Sequence, residues 1–126
     1  MRIVCTNCGV NYPLDTRAWV CLRCGGLFEL DGAPRFDPAR IQPRTQGLWR
    51  YRDFLPLPEN GRSVTLGEGW TPLVECELDG QRFFCKCDYL MPSGSFKDRG
   101  TTVLVSAMKA FRVTRCVDDS SGNAAA

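Results

Sequence analysis

Two cysteine pairs with the same spacing place the strongest constraint on how this chain can fold. Cys5 and Cys8 form the first Cys-x-x-Cys pair, Cys21 and Cys24 form the second, and glycine follows each pair. Each pair puts two thiolates on a tight turn, and together they supply the four sulfur ligands of a tetrahedral zinc site. The alternatives are a redox dithiol and two unrelated pairs, but a redox dithiol needs only one pair, usually within a βαβ unit. The duplication therefore favours a structural metal site.

Residues 1–30 are accordingly predicted to form a small zinc ribbon. A segment this short buries little apolar surface, so metal binding would contribute much of its folding free energy. Residues 17–20 and 27–30 alternate between polar and apolar side chains, which is typical of strands. The other four cysteines are scattered, which favours a reducing compartment over a secreted disulfide framework. We expect them to be small buried apolar residues; they are Cys76, Cys85, Cys87 and Cys116.

Composition excludes several classes of function. The 126 residues carry a net charge of +2, which is too small to indicate nucleic-acid binding. No apolar run approaches the roughly 20 residues that span a bilayer. Histidine is absent, so these residues cannot form a Ser-His-Asp triad. Met1 lies so close to the first cysteine pair that no signal peptide fits before it, and we expect a cytoplasmic protein.

A connector rich in proline and arginine is predicted over residues 31–62. Near its end, Gly47 to Leu55 place apolar residues at helical spacing, and Pro56 stops the pattern. Trp49 lies among arginines and could belong to a nucleic-acid surface, but the weak overall charge favours a short docking helix.

From residue 63 the pattern becomes that of an α/β domain. Leu73–Leu78 and Gln81–Tyr89 read as two strands of a hairpin, and Asp79-Gly80 is a strong turn signal between them. A loop rich in glycine, Leu66–Leu73, precedes the hairpin.

One lysine follows the hairpin in a turn of small residues, Ser93–Gly100 (Ser-Gly-Ser-Phe-Lys-Asp-Arg-Gly). Ser95 is the predicted N-cap, Asp98 falls in the first helical turn, and an apolar-rich helical run from Thr101 to Phe111 follows. The positive end of the helix dipole favours the neutral amine of Lys97, the form that attacks an aldehyde. A solvated lysine at an ordinary helix start is the alternative, and spacing alone favours it.

A second polar loop follows this helix. Val113–Val117 read as a buried strand that leads into Ser120-Ser121-Gly122-Asn123 and then alanines. A strand, a small polar loop and a helix start form the arrangement in which an open α/β sheet binds anions. An ordinary turn between strand and helix is an equal alternative.

Taken in order, these motifs resemble the N-terminal part of the threonine-synthase family, within the fold-type II pyridoxal-phosphate enzymes. The matching motifs are the zinc ribbon, Gly47–Arg52, Leu66–Leu73, Ser93–Gly100 and Ser120–Asn123. The resemblance implies an α/β fold class, in which a small zinc ribbon precedes the first part of an open α/β sheet. The division it implies is a ribbon over 1–30, a connector over 31–62 and the start of a catalytic domain over 63–126.

Functional roles follow from the resemblance alone. Lys97 would hold pyridoxal 5'-phosphate covalently and later move protons as the free amine, with Phe96 beside the cofactor. Asn123 would contact the phenolic oxygen of the cofactor. The substrate carboxylate would lie in the loop formed by Ser120, Ser121, Gly122, Asn123 and Ala124. Zn²⁺ would be a structural cofactor.

The implied activity is that of a lyase that converts O-phosphohomoserine and water into threonine and phosphate. Cysteate synthase and threonine or serine dehydratase are alternatives within the family, and a zinc-ribbon binding module without catalysis is an alternative from another class. We expect a small amino-acid substrate, no nucleic-acid or membrane partner, and a complete enzyme that could be a homodimer. Family members are several times longer, so we expect this chain to be part of a larger enzyme, or a shortened relative, that is inactive alone.

Overall fold

A three-stranded antiparallel sheet opens the computed structural model, which describes residues 1–58, 61–120 and 122. Its strands are β1 (Arg2–Cys5), β2 (Asn11–Tyr12) and β3 (Phe28–Asp31), in the order β2-β1-β3. We call residues 1–31 the cysteine module. β3 confirms the strand predicted at 27–30, displaced by one residue, whereas the strand predicted at 17–20 does not form. Both edges of β1 are already paired, so residues 17–20 find no partner on it, and Trp19 is 85% exposed.

Two 3-10 helices lie in the next segment. The first covers Pro38–Arg40 and the second Gly47–Phe54, with a kink at Tyr51. A helix therefore forms where the apolar spacing predicts one, although as a 3-10 helix and not an α-helix. It ends before Pro56, as proline requires, and it buries Trp49.

The predicted hairpin is confirmed. Strand β4 covers Leu73–Leu78 and β5 covers Gln81–Lys86, joined by Asp79 and Gly80. Both turn residues have positive φ, +52° and +74°, as a two-residue turn of type I′ requires. β5 ends three residues before the predicted end at Tyr89, because the chain turns into a 3-10 helix at Asp88–Leu90.

The four scattered cysteines differ in burial. Cys87 is buried as expected and Cys76 is half-buried, but Cys85 and Cys116 are exposed, so the expectation is wrong for those two. Cys85 lies on a two-stranded hairpin whose strands pair only with each other within the described residues, and this leaves most of its side chains uncovered.

The single α-helix of the described residues, α1, covers Asp98–Ala110. It begins two residues after the start that an N-cap at Ser95 predicts, and Lys97 occupies the N-cap position instead. Asp98 lies in the first turn, as predicted. The Ser95 hydroxyl instead accepts the Lys97 backbone N–H at 3.2 Å, so it closes the turn before the helix.

The strand predicted at Val113–Val117 is absent, and this prediction is wrong for the described structure. Val117 is 98% exposed. A strand needs a hydrogen-bonded neighbour, and β4 and β5 offer none to this segment in the described part of the chain.

A loop at residues 64–71 lies between the second 3-10 helix and α1 and binds both. Leu48 N–H donates to the Glu68 carbonyl at 3.0 Å, and Val64 N–H donates to Ser106 Oγ at 2.8 Å. Buried Met91 accepts Gly69 N–H at 3.3 Å. The described chain is thus a small α/β structure, and none of its helices is long and apolar enough to cross a bilayer.

Candidate functional site

Four cysteines from the two pairs converge in the cysteine module, as their spacing predicts. Their sulfur atoms all lie within 4.8 Å of one another. Cys5 Sγ is 3.5 Å from Cys24 Sγ, and Cys8 Sγ is 3.6 Å from Cys21 Sγ. A tetrahedral site with metal–sulfur bonds of about 2.3 Å needs sulfur–sulfur distances of about 3.8 Å. The donor set and its spacing therefore fit a metal ion of the size of zinc.

Two turns of the same geometry present the two pairs. Gly9 N–H donates to the Cys5 carbonyl at 3.0 Å, and Gly25 N–H donates to the Cys21 carbonyl at 2.8 Å. Both glycines have φ near +70°, a conformation that side chains disfavour. The glycine after each pair therefore lets the backbone turn so that both thiols face the centre of the module.

Tyr12 and the neighbouring thiols set the electrostatics of the cluster. The Tyr12 hydroxyl lies 3.1 Å from Cys21 Sγ, and its hydrogen bond lowers the pKa of Cys21 to about 6. The Val10 backbone amide lowers the pKa of Cys8, but the neighbouring thiols and desolvation raise it to about 12. The cluster thus favours ionisation of one thiol and opposes it at another, since thiolates this close repel one another. A bound cation would remove that repulsion.

Gly26 is a further residue of this site that the sequence analysis missed. A Cβ at this position would lie 2.8 Å from Cys5 Sγ and 2.8 Å from the Cβ of Asn7. The sequence does carry a sign of this role, since two consecutive glycines follow Cys24. Only glycine leaves the sulfur atoms room at this point.

Lys97 lies at the start of α1 with its side chain exposed. Its Nζ is 4.5 Å from the centre of the Phe96 ring, a cation–π distance. The turn before it is held by Asp98, which is 5% exposed and accepts hydrogen bonds from both the backbone N–H, at 2.9 Å, and the hydroxyl of Ser93. The lysine backbone is therefore fixed while its amine remains open to solvent.

A polar clamp beside this turn joins three segments. Arg99 donates to both carboxylate oxygens of Asp88, at 2.8 and 2.9 Å, and the Thr71 hydroxyl donates to Asp88 at 3.0 Å. The Lys86 amine donates to the Thr71 carbonyl. The Arg99 guanidinium holds the pKa of Asp88 below its usual value. The clamp ties the loop before β4 and the end of β5 to α1, and the sequence analysis did not identify its aspartate or threonine.

Glu68 is almost fully buried, at 1% exposure, in the loop rich in glycine. Its carboxylate accepts the Thr65 hydroxyl at 2.9 Å and the Leu66 N–H at 2.8 Å. Desolvation raises the pKa of this carboxyl, but hydrogen bonds from backbone amides and from Thr102 outweigh that effect and leave it lowered. The carboxylate therefore organises its own loop through the hydrogen bonds from Thr65 and Leu66.

Comparison with known proteins places these residues in a family. The model of the family "Pyridoxal-phosphate dependent enzyme" matches residues 64–126, which contain the hairpin, Lys97 and α1. The chain belongs to this family of pyridoxal-phosphate-dependent enzymes. The family resemblance inferred from the order of the motifs is thereby confirmed.

Several proteins whose sequences match this chain are threonine synthases. That of Methanocaldococcus jannaschii is 34% identical over 132 residues, which cover 97% of this chain and 32% of the relative. The threonine synthase of Methanosarcina acetivorans is 29% identical over 133 residues, which cover 99% of this chain and 32% of the relative. The threonine synthase of Synechocystis sp. is 39% identical over 82 residues, which cover 60% of this chain and 22% of the relative. The chain thus spans about a third of the first two relatives, and no solved structure matches it significantly.

In a pyridoxal-phosphate-dependent enzyme the cofactor aldehyde requires an accessible primary amine, and the exposed Lys97 amine fits that requirement. The predicted carboxylate loop is only partly described, because Ser121, Asn123 and Ala124 lie outside the described residues. Ser120 Oγ accepts Gly122 N–H at 3.1 Å. No hydrogen bond among the described residues joins Ser120 or Gly122 to Lys97, so this half of the predicted site stays a prediction.

Proposed function

We propose that this chain is the N-terminal portion of a threonine synthase, a lyase that converts O-phospho-L-homoserine and water into L-threonine and phosphate. The observation that carries the proposal is Lys97, an exposed amine on a fixed turn at the start of α1, within the residues that match the family. The relatives that align with 97% and 99% of this chain are threonine synthases, which supports this substrate over others.

Lys97 would hold the cofactor and then act as the base and acid of the reaction. Pyridoxal phosphate, when bound, supplies an electron sink for charge that develops on the substrate carbons. The freed Lys97 amine would take a proton from one substrate carbon and return it to another. Asp98 and Ser95 keep the turn in place, and the Phe96 ring would lie beside the cofactor.

The polar loop at residues 120–124 would complete the substrate site. In this proposal Ser120, Ser121, Gly122, Asn123 and Ala124 bind the substrate carboxylate, and Asn123 also contacts the cofactor. Small residues let an anion approach the backbone closely, which supports this assignment.

Zinc is the metal that we propose for the cysteine module. Four thiolates with the observed spacing fill a tetrahedral shell and leave no open position for substrate, so the role of zinc would be structural. The module would be the zinc ribbon over 1–30 that precedes the connector and the catalytic domain. A cytoplasmic location and a homodimeric complete enzyme also remain proposals.

A lysine substitution in the full-length protein tests the function. Lys97→Ala should abolish the visible absorbance of covalently held cofactor and the release of phosphate from O-phosphohomoserine. Lys109→Ala, also an exposed lysine of α1, is the matched control and should retain both. Absorbance that survives in Lys97→Ala would refute the role of the lysine. A wild-type protein that releases phosphate from phosphoserine but not from O-phosphohomoserine would refute the substrate assignment.

A further inference from the structure

The hydroxyl of Tyr12 bridges one thiol of the cluster, Cys21, and the backbone amide that follows it. The hydroxyl oxygen lies 3.1 Å from Cys21 Sγ and accepts the Leu22 N–H, also at 3.1 Å. A phenolic hydroxyl has a single hydrogen, and the Leu22 amide already occupies a lone pair of the oxygen. The hydrogen is therefore free to point at the sulfur. A thiolate has no hydrogen of its own, so Tyr12 is the donor whenever Cys21 is ionised.

Three contacts hold the Tyr12 side chain in this position. Its backbone pairs with Ile3 across β1 and β2, the strand of two residues to which it belongs. Its ring packs edge-to-face on Phe28, with the ring centres 4.9 Å apart. The Leu22 amide fixes the hydroxyl itself. The small sheet and the second cysteine turn thus together direct the phenol at one sulfur of the four.

Burial makes this hydrogen bond matter more at Cys21 than at the exposed thiols. A charged group that is buried loses its hydration, and donors from the protein must replace the water. Cys21 is 2% exposed, whereas Cys24 is exposed and Cys8 is half-buried. Asn7 donates to Cys24 at 3.5 Å, but water can take its place there. Cys5 is as buried as Cys21, yet among the described residues no side chain other than cysteine donates to it.

We propose that Tyr12 is a positioning residue of the metal site. Its O–H···S hydrogen bond sets how tightly the module holds its metal and how strongly the Cys21 sulfur donates charge to that metal. A divalent cation with four thiolates keeps two net negative charges, and a donor to one sulfur disperses part of them. The inference rests on the proposed zinc site and deepens it, and it is independent of the role of Lys97.

Titration of the metal-free, full-length protein with Co²⁺ tests the inference, because thiolate-to-cobalt charge-transfer absorbance reports on the sulfur ligands directly. Tyr12→Phe keeps the ring and removes only the hydroxyl. Without the hydrogen bond the sulfur holds its electrons less tightly, so the bands of the cobalt-saturated variant should move to longer wavelength. Its affinity, measured by competition with a chelator, should fall about tenfold or more. Tyr51→Phe, in the second 3-10 helix outside the module, is the matched control and should change neither quantity.

The position of the bands separates this role from a purely structural one, since only protein that holds cobalt contributes to them. A residue needed for folding alone would lower the affinity and leave the bands of the loaded protein in place. Tyr12→Phe with the band position or the affinity of the wild type would overturn the inference. So would a variant that binds no cobalt, because the hydroxyl would then serve the folding of the module. A wild type without charge-transfer bands would instead refute the proposed metal site, and this inference with it.

Discussion

Replacement of Gly47 by alanine should strongly destabilise the chain. Gly47 begins the second 3-10 helix with φ of +65°, and a Cβ there would lie 2.2 Å from the Glu68 carbonyl oxygen. That oxygen also accepts Leu48 N–H at 3.0 Å, so the clash and the hydrogen bond cannot coexist. The left-handed conformation, the overpacking and the lost hydrogen bond together cost about 3 to 6 kcal/mol. Such a cost is a large part of the stability of a small domain.

Gly67→Ala is the matched control. Gly67 has φ of +83° in the same loop region, but a Cβ there would meet nothing within 4 Å. Only the conformational cost applies, about 1 to 2 kcal/mol. The difference in free energy of unfolding between the two variants therefore measures the effect of the close approach of the Gly47 and Glu68 backbones.

Urea unfolding of the zinc-loaded protein measures both costs. Trp49, buried in the second 3-10 helix next to the site of change, reports the transition through its fluorescence. We expect the midpoint of Gly47→Ala to fall well below that of Gly67→Ala, with similar slopes. If both variants lose the same free energy of unfolding, the close approach contributes nothing and the reasoning is wrong.

Three further predictions concern the metal, the cysteine module and acid stability. Cys21→Ser should reduce bound zinc below one ion per chain by metal analysis; undiminished zinc would refute the ligand assignment. Arg17 donates to the carbonyl of Phe111 at 2.7 Å, at the carboxyl end of α1, so Arg17→Ala should speed hydrogen exchange of the last turn severalfold, whereas the exposed Arg23→Ala should not. Because the folded pKa of Asp88 is lowered, its stabilising effect is present above about pH 4 and is lost as the pH falls through the folded pKa. The wild type should therefore lose more stability between pH 7 and pH 3 than Asp88→Asn, and equal losses would exclude this linkage.

Several features of the fold were predictable because their causes are local. Asp79 and Gly80 adopt the positive φ values that their turn type requires, and the strands on either side follow from the register that the turn sets. The cysteine pairs converge because the backbone after each pair turns in the same way. The position of Lys97 at the start of a helix was also predictable, although the helix begins at Asp98 and Ser95 is not its N-cap. Helix ends depend on the competition of neighbouring hydrogen bonds, which a spacing pattern does not resolve.

The sequence by itself determined the four-sulfur cluster, the hairpin, the lysine turn and the family, since each depends on residues within a few positions or on the order of motifs. Only the tertiary structure decided that Val113–Val117 is not a strand, that Glu68 is buried, and that Arg17 contacts a carbonyl 94 residues away. A strand needs a partner edge, and Glu68 becomes buried only when its loop packs between the second 3-10 helix and α1. Those partners exist only after the segments have packed, so no local pattern encodes them.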